Sequence, residues 1–292
     1  MHDVYAYGVI APSTLVELGG AFPTEAGYGE IAAVHPSLGG EAAGSAYVLG
    51  RLGVPTKLTG TMLGDDPESR RVVELLAGEG VDTGAIDTTG RAVTEIVVST
   101  GVERTVFGDY GRMLGERAWS APSRIDIESA RVVCLDPFFG DDSLQTARWC
   151  REASVPYVTV DVEPGSEIAR HAAAVIVAGE FASRDPEYAT FSAYADRCEG
   201  LVVLTRGAGD LLYGRAGAPP QAFPPFDVET RDATGAGDAF RAGLIYGMLA
   251  GQGDEELVRT ASAVAALVCQ TVPGVVNGPT ASDLARFLDP PG

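Results

Sequence analysis

The chain has 292 residues, 46% of them hydrophobic and 21% charged, enough for one large α/β domain with an elaboration or for two small ones. The high apolar content, with 37 Gly and 18 Pro that follow no period, excludes collagen-like and disordered classes. Forty acidic residues against 21 basic ones leave a formal charge of −19, a surface that repels phosphate backbones and anionic lipid, so neither nucleic acid nor membrane is an expected partner.

Residues 4–10 form a short β-branched apolar run stopped by Ala11-Pro12-Ser13, which predicts a buried strand. The run is preceded by Asp3 and no basic leader, so it reads as a first strand and not as a signal peptide. Residues 14–38 alternate weakly and are rich in Gly and Pro, which predicts short exposed strands. Gly39-Gly40 then open an Ala-rich helix running to about Leu52, with Gly53-Val54-Pro55 as its stop. A strand over 57–61 is followed by a helix that opens near Asp66-Pro67 and closes at Gly78. Residues 94–100 and 104–107 read as a hairpin turned by Gly101-Val102-Glu103.

Strands and helices alternate from there: strand 132–135, helix 142–152, strands 157–162 and 174–177, helix 186–196 and strand 201–205. Continuously apolar strands in such an alternation predict a mostly parallel sheet covered on both faces. Three helices (237–250, 254–270 and 280–288) close the chain after a Pro-rich connector at 219–225. The predicted organisation is one α/β domain over 1–292, with a small β insertion built from 14–38 and 91–108. No run approaches the roughly 18 apolar residues of a spanning helix, and a cytoplasmic location is expected.

Several chemistries drop out by inspection. Lys57 is the single lysine and stands between Thr56 and Leu58, so there is no Gly-Lys-Ser/Thr phosphate loop and no other candidate for a Schiff-base lysine. Cys134, Cys150, Cys198 and Cys269 are widely spaced and read as reduced core thiols. His2, His35 and His171 have no metal-ligand spacing, and no serine lies in a G-x-S-x-G frame.

The stretch that carries chemistry is Asp232-Ala233-Thr234-Gly235-Ala236-Gly237-Asp238-Ala239-Phe240. The small residues Gly235, Ala236 and Gly237 let backbone approach a ligand, and they open a helix whose free N–H groups favour an anion. Asp238 falls in the first turn, where a carboxylate can take a proton from an attacking hydroxyl while the amides absorb charge on phosphoryl oxygens. The competing interpretation is a helix whose Asp238 merely complements the dipole.

With its extended context, DATGAGDAFRAG at 232–243, this segment resembles the C-terminal signature of the ribokinase-like (PfkB) carbohydrate and nucleoside kinases. The Gly39-Gly40 helix opening is similar to the family's N-terminal signature, and LVVLTRGAG at 201–209 to the strand and glycine loop that lies along ATP. The resemblance spans nearly the whole chain. It implies a three-layer α/β/α fold with a small β lid, and an ATP-dependent phosphotransferase acting on a hydroxyl of a sugar or sugar-like molecule. A nucleoside kinase of the same fold and a catalytically silent ligand-binding relative stay open beside it.

The resemblance implies Asp238 as catalytic base, Gly235, Ala236 and Gly237 as anion hole, and Asp232 and Thr234 as a K⁺ loop that its own hydrogen bonds could equally close. It places Thr205, Arg206, Gly207, Gly209 and Ser262 along ATP, although a plain strand–turn junction and a helix contact would account for them too. Ser13, Gly39, Gly40, Glu41 and Gly44 fall at the substrate end, and Glu180 near magnesium. It also favours a homodimer through the lid. The departures are concentrated at the substrate end. Ser13 stands where many members carry an Asp, and Gly-Gly-Asn-x-x-Asn is replaced by Gly39-Gly40-Glu41-Ala42-Ala43-Gly44. Glu180 lies one position off the expected Asn-x-x-Glu motif. Residues 158–164 and 222–225 are similar to the ketohexokinase branch.

Overall fold

The computed structural model describes residues 2–101, 103–186 and 190–289. In chain order the elements are β1 (Val4–Gly8), β2 (Ala11–Leu18), β3 (Ile31–Gly39), α1 (Glu41–Arg51), β4 (Thr56–Gly60), α2 (Pro67–Gly78), β5 (Glu95–Ser99) and β6 (Arg104–Gly108). They continue with α3 (Tyr110–Glu116), α4 (Arg124–Ser129), β7 (Val132–Leu135), α5 (Asp141–Ala153), β8 (Tyr157–Val160), α6 (Glu167–His171), β9 (Ala174–Val177), α7 (Gly179–Ala182) and α8 (Phe191–Ala195). The last are β10 (Leu201–Arg206), β11 (Gly209–Gly214), β12 (Gln221–Phe223), α9 (Ala236–Leu249), α10 (Asp254–Cys269) and α11 (Ala281–Leu288).

The main sheet has the order β12-β11-β10-β9-β8-β7-β1-β4, parallel except for the two antiparallel pairings at the β12 edge. Its strands alternate sides while staying buried. Val4, Ala6, Val132, Cys134 and Val203 pack with α1, α2, α9 and α10, whereas Tyr5, Tyr7, Val133, Leu135 and Val202 pack with α4, α5 and α8. That two-sided burial makes the strands apolar throughout and yields three layers. The chain passes from β1 to β4 at the edge and returns to β7 on the other side of β1. The strand order therefore reverses beside β1, the place where open α/β sheets form a crevice at the strand C-termini.

A separate four-stranded sheet, β3-β2-β5-β6, rises from that end of β1. The Ala11-Pro12-Ser13 stop expected from sequence is instead the start of β2. Proline is tolerated there because the ladder to β5 begins only at Ser13, so the missing N–H forfeits no bond to that neighbour. Residues 11–13 and Gly39 thus join the small sheet, whose second half begins at Glu95.

Other boundaries shift for local reasons. Strand β8 ends at Val160 because Asp161 takes a positive φ of 46°. The helix expected over 186–196 is seen as α8, and residues 187–189 lie outside the described part. The connector at 219–225 contains β12, and the glycine loop after β10 is a tight turn into β11. No helix among the described residues is long and apolar enough to cross a membrane.

Candidate active site

At the strand C-termini the chain buries a charged pair. Asp136 follows the apolar strand β7, and Arg241 interrupts the apolar run of helix α9 that follows Asp238; both side chains are fully buried. Arg241 Nη1 donates to Asp136 Oδ1 at 2.6 Å, and its Nε donates to Ser45 Oγ at 2.9 Å. Ser45, on α1, donates in turn to the backbone carbonyl of Asp238 at 3.1 Å. The other Asp136 oxygen accepts the N–H groups of Val9 (2.7 Å) and Ala42 (3.0 Å). One ion pair therefore ties the ends of β1 and β7 to the first turns of α1 and α9.

Those two first turns carry the predicted residues. Asp238 is half-buried and faces Gly44 so closely that a Cβ on Gly44 would lie 2.7 Å from Asp238 Oδ2. The absent side chain is what lets α1 and α9 meet here. Burial raises the Asp238 carboxyl well above its ordinary value; Glu41, Asp136 and Glu95 add to the rise and Arg241 opposes it. Glu41 is pushed up to about 7, first by burial and then by Asp136 and Glu95, with Arg241 opposing. The structure thus brings Asp238, Gly44, Gly39, Gly40 and Glu41 together.

Before α9, Gly235 has φ +78°, a left-handed turn that an L side chain resists, and its missing Cβ also makes room for Val275. No side chain caps the helix. The N–H of Ala236 closes the turn on Ala233 at 3.2 Å, so of the first helical amides it is those of Gly237 and Asp238 that stand open at this turn. Asp232 is almost wholly buried; Oδ1 accepts Thr234 N–H and Oδ2 accepts Gly274 N–H, each at 3.0 Å. The loop is therefore closed by its own carboxylate. Thr234 Oγ1 is buried without a partner.

The remaining residues spread along the strand ends. Thr205 is the penultimate residue of β10 and donates to Val177 O at 3.4 Å; Arg206 ends the strand, Gly209 opens β11 opposite it, and Gly207 lies in the exposed turn between them. Ser262 is buried in α10 with an unpartnered Oγ. Glu180 is exposed on α7, its Oε2 3.4 Å from Arg104 Nη2 of the small sheet. Ser13 lies apart from the helix turns, on the small sheet opposite Ser37 and Glu95. Among the described residues no group of three or more His, Cys, Asp or Glu is arranged to hold a metal ion. Glu180 and Asp161 lie close enough to act on one another electrostatically, which brings two carboxylates of separate elements together.

Sequence reasoning missed Asp136, Arg241, Glu95, Tyr110 and Asp161. Arg241 carried a usable signal, the one basic residue of a helix that is otherwise apolar beyond Asp238, a charge that demands a buried partner. Asp136 sat at the end of a buried strand, a position where ligands are met. Asp161 is held by the N–H of Ala178 at 2.8 Å, and burial raises its carboxyl. Glu95 had no signal, since its partner Tyr110 is 15 residues away in a separate helix.

A mostly parallel sheet wound on both faces, with a glycine turn feeding a bare helix terminus at the strand ends, is the architecture of the ribokinase-like fold. The chain belongs to the pfkB family of carbohydrate kinases, whose model matches residues 20–280. It is similar to an ATP-dependent ribose-1-phosphate kinase from Halopiger xanaduensis, 28% identical and covering 91% of each chain. It also superimposes on an Arabidopsis thaliana ribokinase complexed with ribose and ATP (TM-score 0.80, 21% identity, 99% of each chain). A Burkholderia thailandensis nucleoside kinase in complex with inosine gives a TM-score of 0.82 at 19% identity, covering 97% of this chain and 96% of the other. The chain is a kinase of this family.

Proposed function

We propose that the protein transfers the γ-phosphoryl group of ATP to a primary alcohol of a sugar or sugar-like molecule, with Asp238 as general base. The observation that carries this reading is Asp238 itself, a carboxylate of raised proton affinity beside the uncapped N-terminus of α9. Asp238 takes the hydroxyl proton as the oxygen–phosphorus bond forms and the bond to the departing ADP breaks. The N–H groups of Gly237 and Asp238 hold the phosphoryl oxygens in place and offset their growing charge. A bound magnesium ion would neutralise the β- and γ-phosphates. The Ser45–Arg241–Asp136 chain fixes the backbone that carries the base.

ADP release over ketoses, aldoses, sugar acids, sugar phosphates and nucleosides is the test. Release with any acceptor supports the kinase reading, and ATP binding without turnover across the panel would favour a silent relative.

Asp232 spends both oxygens on backbone amides, so the loop keeps its shape without a bound cation. Turnover in Tris buffer is expected to stay within about twofold when K⁺ is added, because both Asp232 oxygens are already engaged by backbone amides. A larger activation would mean that K⁺ completes the loop.

We also propose that the small sheet is a lid and a dimer contact. Its edge strand β6 is exposed along its whole length, and Val106, Phe107, Ile31 and Val34 are each about half exposed. An apolar sheet edge of this kind is a liability unless covered. Sedimentation should show a dimer, and Phe107→Asp should shift it to monomer. A monomeric unmodified protein would overturn the assignment.

A further inference from the structure

Three carboxylates from three elements come within electrostatic reach of one another: Glu41 of α1, Glu95 of β5, which lies against Gly39, and Asp238 of α9, which lies against Gly44. Their mutual influence is direct, since Glu41 and Glu95 both act on Asp238, and Glu41, Glu95 and Asp238 all act on Tyr110. The cation that acts on both Glu41 and Asp238 is Arg241, whose Nη1 is committed to Asp136 and whose buried Nη2 has no partner. The mouth of the site therefore gathers three carboxylates around one shared arginine in a partly desolvated space, with Arg71 at its edge donating to the carbonyl of Ser37.

The inner face of the small sheet adds an independent sign of a ligand. Ser13 stands opposite Ser37 on one side and Glu95 on the other. Ser13 and Ser37 are only 3% and 1% exposed, and neither hydroxyl has a hydrogen-bond partner. Buried hydroxyls left open in this way are unfavourable unless a polar group completes them. The Tyr110 hydroxyl donates to Glu95 Oε2 and so fixes that carboxylate, whose Oε1 lies against Gly39 beside the start of α1.

We propose that this mouth is an ammonium subsite, in which Glu95 and Glu41 receive the protonated amine of an amino-sugar or amino-polyol while Ser13 and Ser37 bind its neighbouring hydroxyls. The assignment rests on the kinase reading and names its substrate class. Neutral hydroxyls would satisfy the serines but leave the carboxylates repelling one another, whereas a cation removes that repulsion. A phosphate or carboxylate at the same place would add to it. The raised proton affinity of Glu41 agrees, because a proton there does in the free protein what the ammonium does in the complex.

The test is ADP release by the full chain with matched acceptors: glucose, mannose and galactose beside their 2-amino and 2-acetamido counterparts, with ribose, inosine and ribose 1-phosphate alongside. The amine should exceed its neutral partner in kcat/KM by about tenfold or more, as expected for a charge-assisted contact, and acetylation should abolish the advantage. Glu95→Gln should lower kcat/KM for the amine about tenfold more than for the neutral partner. Glu41→Gln supplies the same comparison if the first variant does not fold. A neutral or phosphorylated acceptor that equals or exceeds every amine overturns the subsite while leaving the kinase intact. So does an equal loss on both acceptors in the Gln variants. Failure to release ADP with any acceptor overturns the kinase reading and the subsite with it.

Discussion

Asp238→Asn is expected to lower kcat by roughly 10²–10⁴-fold, the usual contribution of a positioned general base, with ATP affinity little changed. Asn keeps the size of the side chain and its place against Gly44, so the loss isolates proton acceptance. The pH profile gives a second readout. Burial and the neighbouring Glu41, Asp136 and Glu95 raise the Asp238 carboxyl, so its ionised form appears only above the ordinary aspartate range. The acid limb of kcat/KM should accordingly rise at a higher pH than for an exposed aspartate. Glu41→Gln removes one of the raising charges and should move that limb to lower pH. An Asn variant with near-normal turnover would make Asp238 only a helix-end carboxylate.

The parts of this site that lie along one stretch of chain were legible in the sequence. DATGAGD places its small residues and its acid by local spacing alone, and the structure keeps that order from Asp232 to Asp238. The alternating strands were legible because two-sided burial makes them apolar throughout. Legibility fails where function depends on distant pairing. Asp136 and Arg241 are 105 residues apart, and Glu95 meets Ser13 only through a parallel ladder between β2 and β5. The β11 and β12 strands were hidden for another reason: they are short, partly exposed and rich in turn residues, so no period marks them.

Breaking the Asp136–Arg241 pair should be the most damaging single change to stability. Arg241→Met or Asp136→Asn leaves one fully buried charge without its partner, which costs about 3–5 kcal/mol. Urea denaturation should show the midpoint falling with little change in slope. Replacing both residues by apolar ones, Asp136→Leu with Arg241→Met, should recover much of that loss, because no charge is then left stranded. The recovery would be incomplete, since Asp136 also accepts the N–H groups of Val9 and Ala42, which leucine leaves open. Activity should not return with stability. Ser45 would lose the donor that orients its hydroxyl, and the carbonyl of Asp238 would lose its anchor on α1. A double variant that regains both stability and turnover would show that the pair holds the fold together without positioning the base. One that regains stability alone assigns the ion pair to the geometry of Asp238.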